Sequence, residues 1–179
     1  VTLAALLMAP RATSTLVPRL GLEDLVRASC LVFTGKVHSR TASWSDERIV
    51  THNVLEVEHV IKSGSPPPQQ VVIATQGGEV DDVGLWVPGE SRLALDGRYL
   101  IFARASAKEE GTFRVTGMAQ GSLRIVRDDE GRDWALPPAA SGVVTWKAGE
   151  PVPALPFLTK PILLDTLVDR IRQILEAPP

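Results

Sequence analysis

The chain holds three histidines and one cysteine. Their spacing decides which metal or nucleophilic chemistry is open to it. His38, His52 and His59 form no compact ligand set. His52 and His59 share one extended run, and an odd separation along a strand turns two side chains to opposite faces. Solvated or hydrogen-bonded histidines account for them better than a shared metal. Cys30 sits in Cys30-Leu-Val-Phe33 and reads as a small buried hydrophobe. A single cysteine makes neither an intrachain disulfide framework nor a cysteine zinc cluster. No GxGxxG or GxxxxGK[ST] loop offers a phosphate cradle, and no HExxH offers a zinc site. No GxSxG elbow presents a serine nucleophile. Glu79, Asp81 and Asp82 form a tight acidic cluster. It reads as a calcium loop or as a solvated loop, and its order of oxygens does not match an EF-hand. The expectation is a non-catalytic protein with no cofactor and no metal.

Two tryptophans remain. Trp44 lies in the polar turn Thr41–Glu47, and Trp86 in the glycine-punctuated stretch 79–90. Tryptophans in loops anchor contacts on binding surfaces, or they plug the end of a barrel. The first alternative gives a candidate protein-contact rim of Thr13, Ser14, Trp44, Asp46 and Trp86.

The elements that must carry this rim read mainly as strands. Leu20–Ser29 has Leu22, Leu25 and Val26 on one face, with acids early and Arg27 late, which is a short helix suited to its dipole. Cys30–Arg40 is a strand interrupted at Gly35, where a bulge or a close backbone approach is expected. Arg48–Lys62 is a long strand, apolar on both faces and therefore bent. Further strands follow at Gln70–Thr75, Arg98–Ala103, Thr112–Met118 and Ser122–Val126. Asp96-Gly97 and Asp128–Gly131 are turns between them. Residues 133–158 are a Pro-rich extended arm with weak strand signals at Trp134 and at Val143–Trp146. Leu163, Leu164, Leu167, Val168, Ile171, Ile174 and Leu175 mark an amphipathic helix over 159–177, packed on the sheet. About five or six strands in this rhythm make a small barrel or sandwich. The absence of βαβ alternation argues against a parallel sheet.

The 179 residues suit one domain, with 44% apolar and 22% charged side chains. Net charge is −2, so no global basic field exists for nucleic acid. No apolar run is long enough to cross a membrane. Residues 1–12 have the composition of a signal-peptide h-region, with cleavage after Ala12 expected. That places the mature chain outside the cytoplasm, secreted or periplasmic. Arginine outnumbers lysine 14 to 5, a bias that suits a GC-rich bacterial genome.

The run Leu22–Ser29, Leu31-Val-Phe-Thr-Gly-Lys-Val37, Val54-Leu-Glu-Val57, Gly77-Gly78, Val87-Pro-Gly89, Gly97-Arg-Tyr-Leu-Ile-Phe102 and Val115-Thr-Gly-Met-Ala-Gln-Gly121 carries a resemblance. Over residues 20–126 the chain resembles uncharacterised secreted bacterial proteins. It is similar to the OB-fold module of tissue inhibitors of metalloproteinases and netrin C-terminal domains. The resemblance implies a Greek-key barrel over 13–132 with a protein-binding rim, to which the turn Thr41–Glu47 contributes. In the animal inhibitors an N-terminal cysteine chelates the protease zinc, and this chain has no cysteine near its mature start. The expected function is a secreted protein-binding module, an inhibitor or accessory of an extracellular protease or a partner of another envelope protein. The alternative is an OB-type domain that binds an oligosaccharide or another cell-envelope ligand.

Overall fold

Gly35 sets the course of the first strand. A Cβ there would come within 2.6 Å of the Glu56 carbonyl, so only glycine lets the two backbones approach this closely. The computed structural model describes residues 19–64, 66, 68–138, 144–147, 150–153 and 157–178. The expected signal segment 1–12, with Thr13 and Ser14, lies outside the described residues. A short helix α1 (Leu22–Ala28) precedes two unusually long strands, β1 (Leu31–Ser45) and β2 (Arg48–Ser63). Their antiparallel register shifts at Val32/Phe33, at Thr34/Gly35 and at Val37/Ser39, and these bulges bend the pair. The turn Thr41–Glu47 is a correction. The strand runs on to Ser45, and Asp46 alone takes the left-handed conformation of the tip (φ 54°). Trp44 is therefore a strand residue, paired with Ile49.

The chain continues through β3 (Gln70–Gln76), a small hairpin of β4 (Gly78–Val80) and β5 (Val83–Leu85), then β6 (Arg98–Ala105) and β7 (Thr112–Val115). After a 3₁₀ turn at Met118–Gly121 come β8 (Ser122–Arg127) and β9 (Asp133–Ala135). The strands β10 (Val144–Lys147) and β11 (Glu150–Pro153) pair with each other. Finally β12 (Ile162–Leu163) leads into the helix α2 (Leu164–Glu176). The Pro-rich stretch thus begins as a strand of the main sheet, because β9 pairs with both β8 and β12.

The fold is mainly β, with a partly closed ring. The first half of β1 pairs with β2 on one edge and with β6 on the other. β2 passes to β3, β3 runs parallel to β7, and β7 returns to β6. The second edge of β6 is divided, Ala103–Ala105 pairing with β7 and Arg98–Ile101 with β8.

Alternation along β6 explains how one strand serves two cores. Tyr99, Ile101 and Ala103 point into the ring, beside Phe33, Leu55 and Ile73. Leu100 and Phe102 point outward, under α1 and α2. Such a strand must be apolar at every position, and Tyr99–Ala103 is. The two helices cover the outer face. Leu164, Leu167 and Ile171 form the buried stripe of α2, and Leu25 and Val26 that of α1. Cys30 corrects its expectation, since it is exposed and its thiol reaches only the Ala103 carbonyl, at 3.6 Å. The position just ahead of β1 turns the side chain away from both cores.

An ion-pair lattice fastens β9 to the ring. Arg98 on β6 makes paired bonds to Glu58 of β2 (2.8 and 2.9 Å) and to Asp133 of β9 (3.0 Å twice). Arg127 on β8 also grips Asp133, at 2.9 Å. The Arg127 and Arg98 guanidiniums hold the Asp133 carboxyl below its ordinary range. In the neighbouring turn, the Trp134 indole N–H and then Arg132 hold Asp128 far below it. Carboxyls with lowered folded values stabilise the fold above their unfolded value, about 3.9, and lose that contribution as pH falls. The urea midpoint is therefore expected to drop as pH falls through about 4 and below. Asp133→Asn should lose about 2 kcal/mol at neutral pH and titrate with a shallower acid slope. An unchanged slope would remove Asp133 from this account.

Candidate functional site: a groove at the ring mouth

The groove begins with two glycines. Gly77 (φ 92°) and Gly78 (φ 143°) occupy conformations that other residues rarely adopt. They let the chain leave β3 and fold back over the β1–β2 hairpin. The Gly77 N–H donates to the Ile49 carbonyl at 2.8 Å. A Cβ at Gly78 would collide with the Thr51 hydroxyl and crowd Ala42 and Ile49. β4 therefore lies flush against the hairpin. The turn Asp81-Asp82, with Asp81 at φ 51°, reverses the chain into β5, every residue of which is exposed. Stretch 79–90, expected to be an irregular loop, is largely this hairpin, and its acids occupy turn and edge. Among the described residues, no group of three or more His, Cys, Asp or Glu is placed to hold a metal ion.

Between the two hairpins and the returning segment 84–94 lies a groove of about 780 Å³, within the size range of ligand sites. Thr51, Thr75 and Ser91 line it, with Arg40, Trp86 and Arg92 among the larger side chains. Asn53 lies under this floor, fully buried. Its amide nitrogen donates to the Ile73 carbonyl (3.0 Å), the Thr75 hydroxyl (3.1 Å) and the Thr51 carbonyl (3.2 Å). Its oxygen accepts from Arg40 Nε at 3.2 Å. The Thr51 hydroxyl donates to the Gly77 carbonyl at 2.6 Å. Glu90 is similarly committed. It accepts from the backbone N–H groups of Gln76 (3.2 Å) and Ser91 (3.1 Å), and Arg114 lies 3.6 Å away. The polar floor is thus a fastened platform rather than a set of free acids and bases.

Trp86 is 52% exposed, and the Arg92 guanidinium sits 5.5 Å from its ring centroid. It forms a ridge, because a second depression of about 350 Å³ opens on its other side, bordered by Tyr99, Arg124 and Pro137. Trp44 is 51% exposed, two residues along β1 from Ala42 of the groove wall. Both indoles stand in solvent, so neither plugs the ring. Asp46 occupies the exposed hairpin tip. Ile49, the cross-strand partner of Trp44, packs at Gly78. The two hairpins therefore meet, and Trp44, Val83, Leu85 and Trp86 lie on them or directly after β5. Val83 and Leu85 were not among the expected rim residues. Only their alternation about Gly84, next to a paired-aspartate turn, could have signalled them.

The histidines take no part. His38 faces Glu56 at 3.4 Å and His52 faces Glu109 at 2.9 Å, while His59 borders a separate depression between β2 and α2. The depressed carboxyls Asp96, Asp128 and Asp133 also lie outside the groove lining. No family model matches the chain, and no curated protein matches it.

Proposed function

We propose that the chain is a secreted or periplasmic, non-catalytic protein-binding module, an inhibitor or accessory of an extracellular protease. Its body is read as an OB-type Greek-key barrel. The ring order, with β1 between β2 and β6 and β3 parallel to β7, supports that reading. One observation carries the function. Among the described residues six large hydrophobics are exposed, and four of them (Trp44, Val83, Leu85 and Trp86) lie on the two hairpins or directly after β5. Gathered apolar surface of this kind marks interaction sites, and tryptophan dominates hot spots.

The test places a photo-crosslinking residue at Leu85 and, as a control, at Leu175 on α2. The mature chain is then exposed to the native secreted fraction. A single protein crosslinked from Leu85 and not from Leu175 is expected. Trp44→Ala and Trp86→Ala should each weaken its binding about 30-fold while leaving the unfolding midpoint unchanged, since both indoles are half exposed. Equal labelling from Leu175 overturns the reading. Retention on cell-wall material without any crosslinked protein moves the function to an envelope-ligand binder. The indole of Trp86 lining a concave groove favours that second reading.

A further inference from the structure

We infer that the groove under the rim is a carboxylate-accepting subsite, filled by an acidic side chain of the partner that engages Arg40 and Arg92. The inference rests on the protein-binding reading above and names the chemistry of the segment that docks.

Carboxylate pairing divides the cations of the molecule into two sets. Arg27, Lys36, Arg98, Arg114, Arg127, Arg132 and Arg172 each have a carboxylate within 4.0 Å. Arg40 and Arg92, like Arg48, Arg104, Arg124 and Arg170, have no carboxylate within 4.0 Å among the described residues, but these two both line the groove. Each is nevertheless held in place. Arg40 spends Nε on the buried Asn53 oxygen, which ties its stem to the floor and leaves the two terminal nitrogens without a carboxylate among the described residues. Arg92 rests on the Trp86 ring, where the indole face favours a cation. The groove's own acids do not neutralise them. Glu90 is consumed by two backbone N–H groups and Arg114, and the other lining acid, Glu79, has no partner among the described residues.

A chain of net charge −2 thus presents two preset guanidiniums against one free carboxylate, in a concave surface. Low-dielectric walls strengthen such a local field. A guanidinium fork fits a carboxylate through paired N–H bonds. The apolar collar of Trp44, Val83, Leu85 and Trp86 selects what flanks that carboxylate. A segment with one or two acidic residues between large apolar ones satisfies both parts, while a basic segment would meet like charge.

The test uses the full chain and isothermal titration with three capped hexapeptides, Gly-Leu-Glu-Glu-Leu-Gly and its glutamine and lysine counterparts. Tetragalacturonate serves as an anionic sugar probe. The glutamate peptide is expected to bind, more weakly as salt is raised, and the lysine peptide not to bind. R40Q and R92Q should each weaken the glutamate peptide about tenfold. R40K and R92K should recover part of the loss, which a purely structural role would not produce. Unfolding midpoints establish that each variant is folded, and a double variant R40K/R92Q serves where R40Q is not. Equal affinity for the glutamine peptide overturns the inference, as does binding of tetragalacturonate alone or of no probe. If the protein crosslinked at Leu85 binds R40Q and R92Q as tightly as the parent chain, the subsite fails and the protein-binding reading stands. If no protein is crosslinked, that reading itself fails.

Discussion

Phe102→Ala is expected to remove about 3–5 kcal/mol of stability, the usual range for deleting a buried aromatic ring. Phe102 is fully buried on the outward face of β6. It meets the edge of the Phe157 ring at 6.5 Å and 84°, a favourable aromatic geometry. Its neighbours come from the sheet and from both helices, Leu25 on α1 and Leu167 on α2 among them. Truncation would leave a cavity bounded by three separate elements, and close-packed walls relax only partly into such a space. Its backbone also carries structure, since the Phe102 carbonyl accepts from Thr116 N–H at 2.8 Å and its strand pairs with β1. Against a typical total of about 5–15 kcal/mol, this loss brings many domains to the edge of unfolding. Urea denaturation followed by far-UV circular dichroism measures it. A shift below about 1 kcal/mol would mean that the helices are not seated on the sheet as described.

Asn53→Asp changes the side chain by little more than one group, yet it should cost about 3 kcal/mol or more at neutral pH. The amide nitrogen of Asn53 faces two carbonyls, Ile73 and Thr51, which only accept. The opposite oxygen faces Arg40 Nε, which only donates. The orientation of the amide is therefore fixed by its neighbours. Aspartate keeps the bond to Arg40 but turns a bare oxygen toward two carbonyl oxygens in a site with no solvent access. That arrangement favours the protonated acid, which can donate, and so raises the folded pKa above the unfolded value of about 3.9. The penalty is then smallest in acid and grows as pH rises through and beyond about 4. This sign is opposite to that of Asp133, and the two titrations separate the two networks. A variant as stable at pH 7 as the parent would show that the floor of the groove is wet.

The parts of the fold legible in the sequence are those where burial imposed a period. Tyr99–Ala103 reads as a core strand because both of its faces are covered, and the stripe of α2 reads at helical spacing for the same reason. Gly35 was legible as a bulge because no other residue fits against the Glu56 carbonyl. The distal half of β1 was not. Beyond Val37 it leaves β6 and pairs with β2 alone, its outward side chains meet water, and Arg40–Ser45 imitates a turn. The hairpin of β4 and β5 is too short for any period, and Asp81-Asp82 lacks the glycine that would announce it. The sequence marks Trp44 and Trp86 as candidate contacts but not Val83 and Leu85 beside them. The groove assembles from residues near 40, 51, 75, 85 and 92, which no local pattern connects.

The seam between β3 and β7 has a consequence in time. The ring closes there through two residue pairs, Val72 with Thr112 and Ile73 with Phe113, in parallel. Every other step round the ring is antiparallel, and β1–β2, β2–β3 and β6–β7 each join successive or nearby strands. Those hairpins can zip early and locally, whereas the seam and the β1–β6 pairing must each bring distant stretches of chain together before they return any stabilisation. A topology of this kind folds in milliseconds to seconds rather than microseconds. Until the ring closes, β3 and β7 present open edges to any passing strand. The newly synthesised chain is therefore at greatest risk of aggregation in the interval between hairpin formation and closure of the ring.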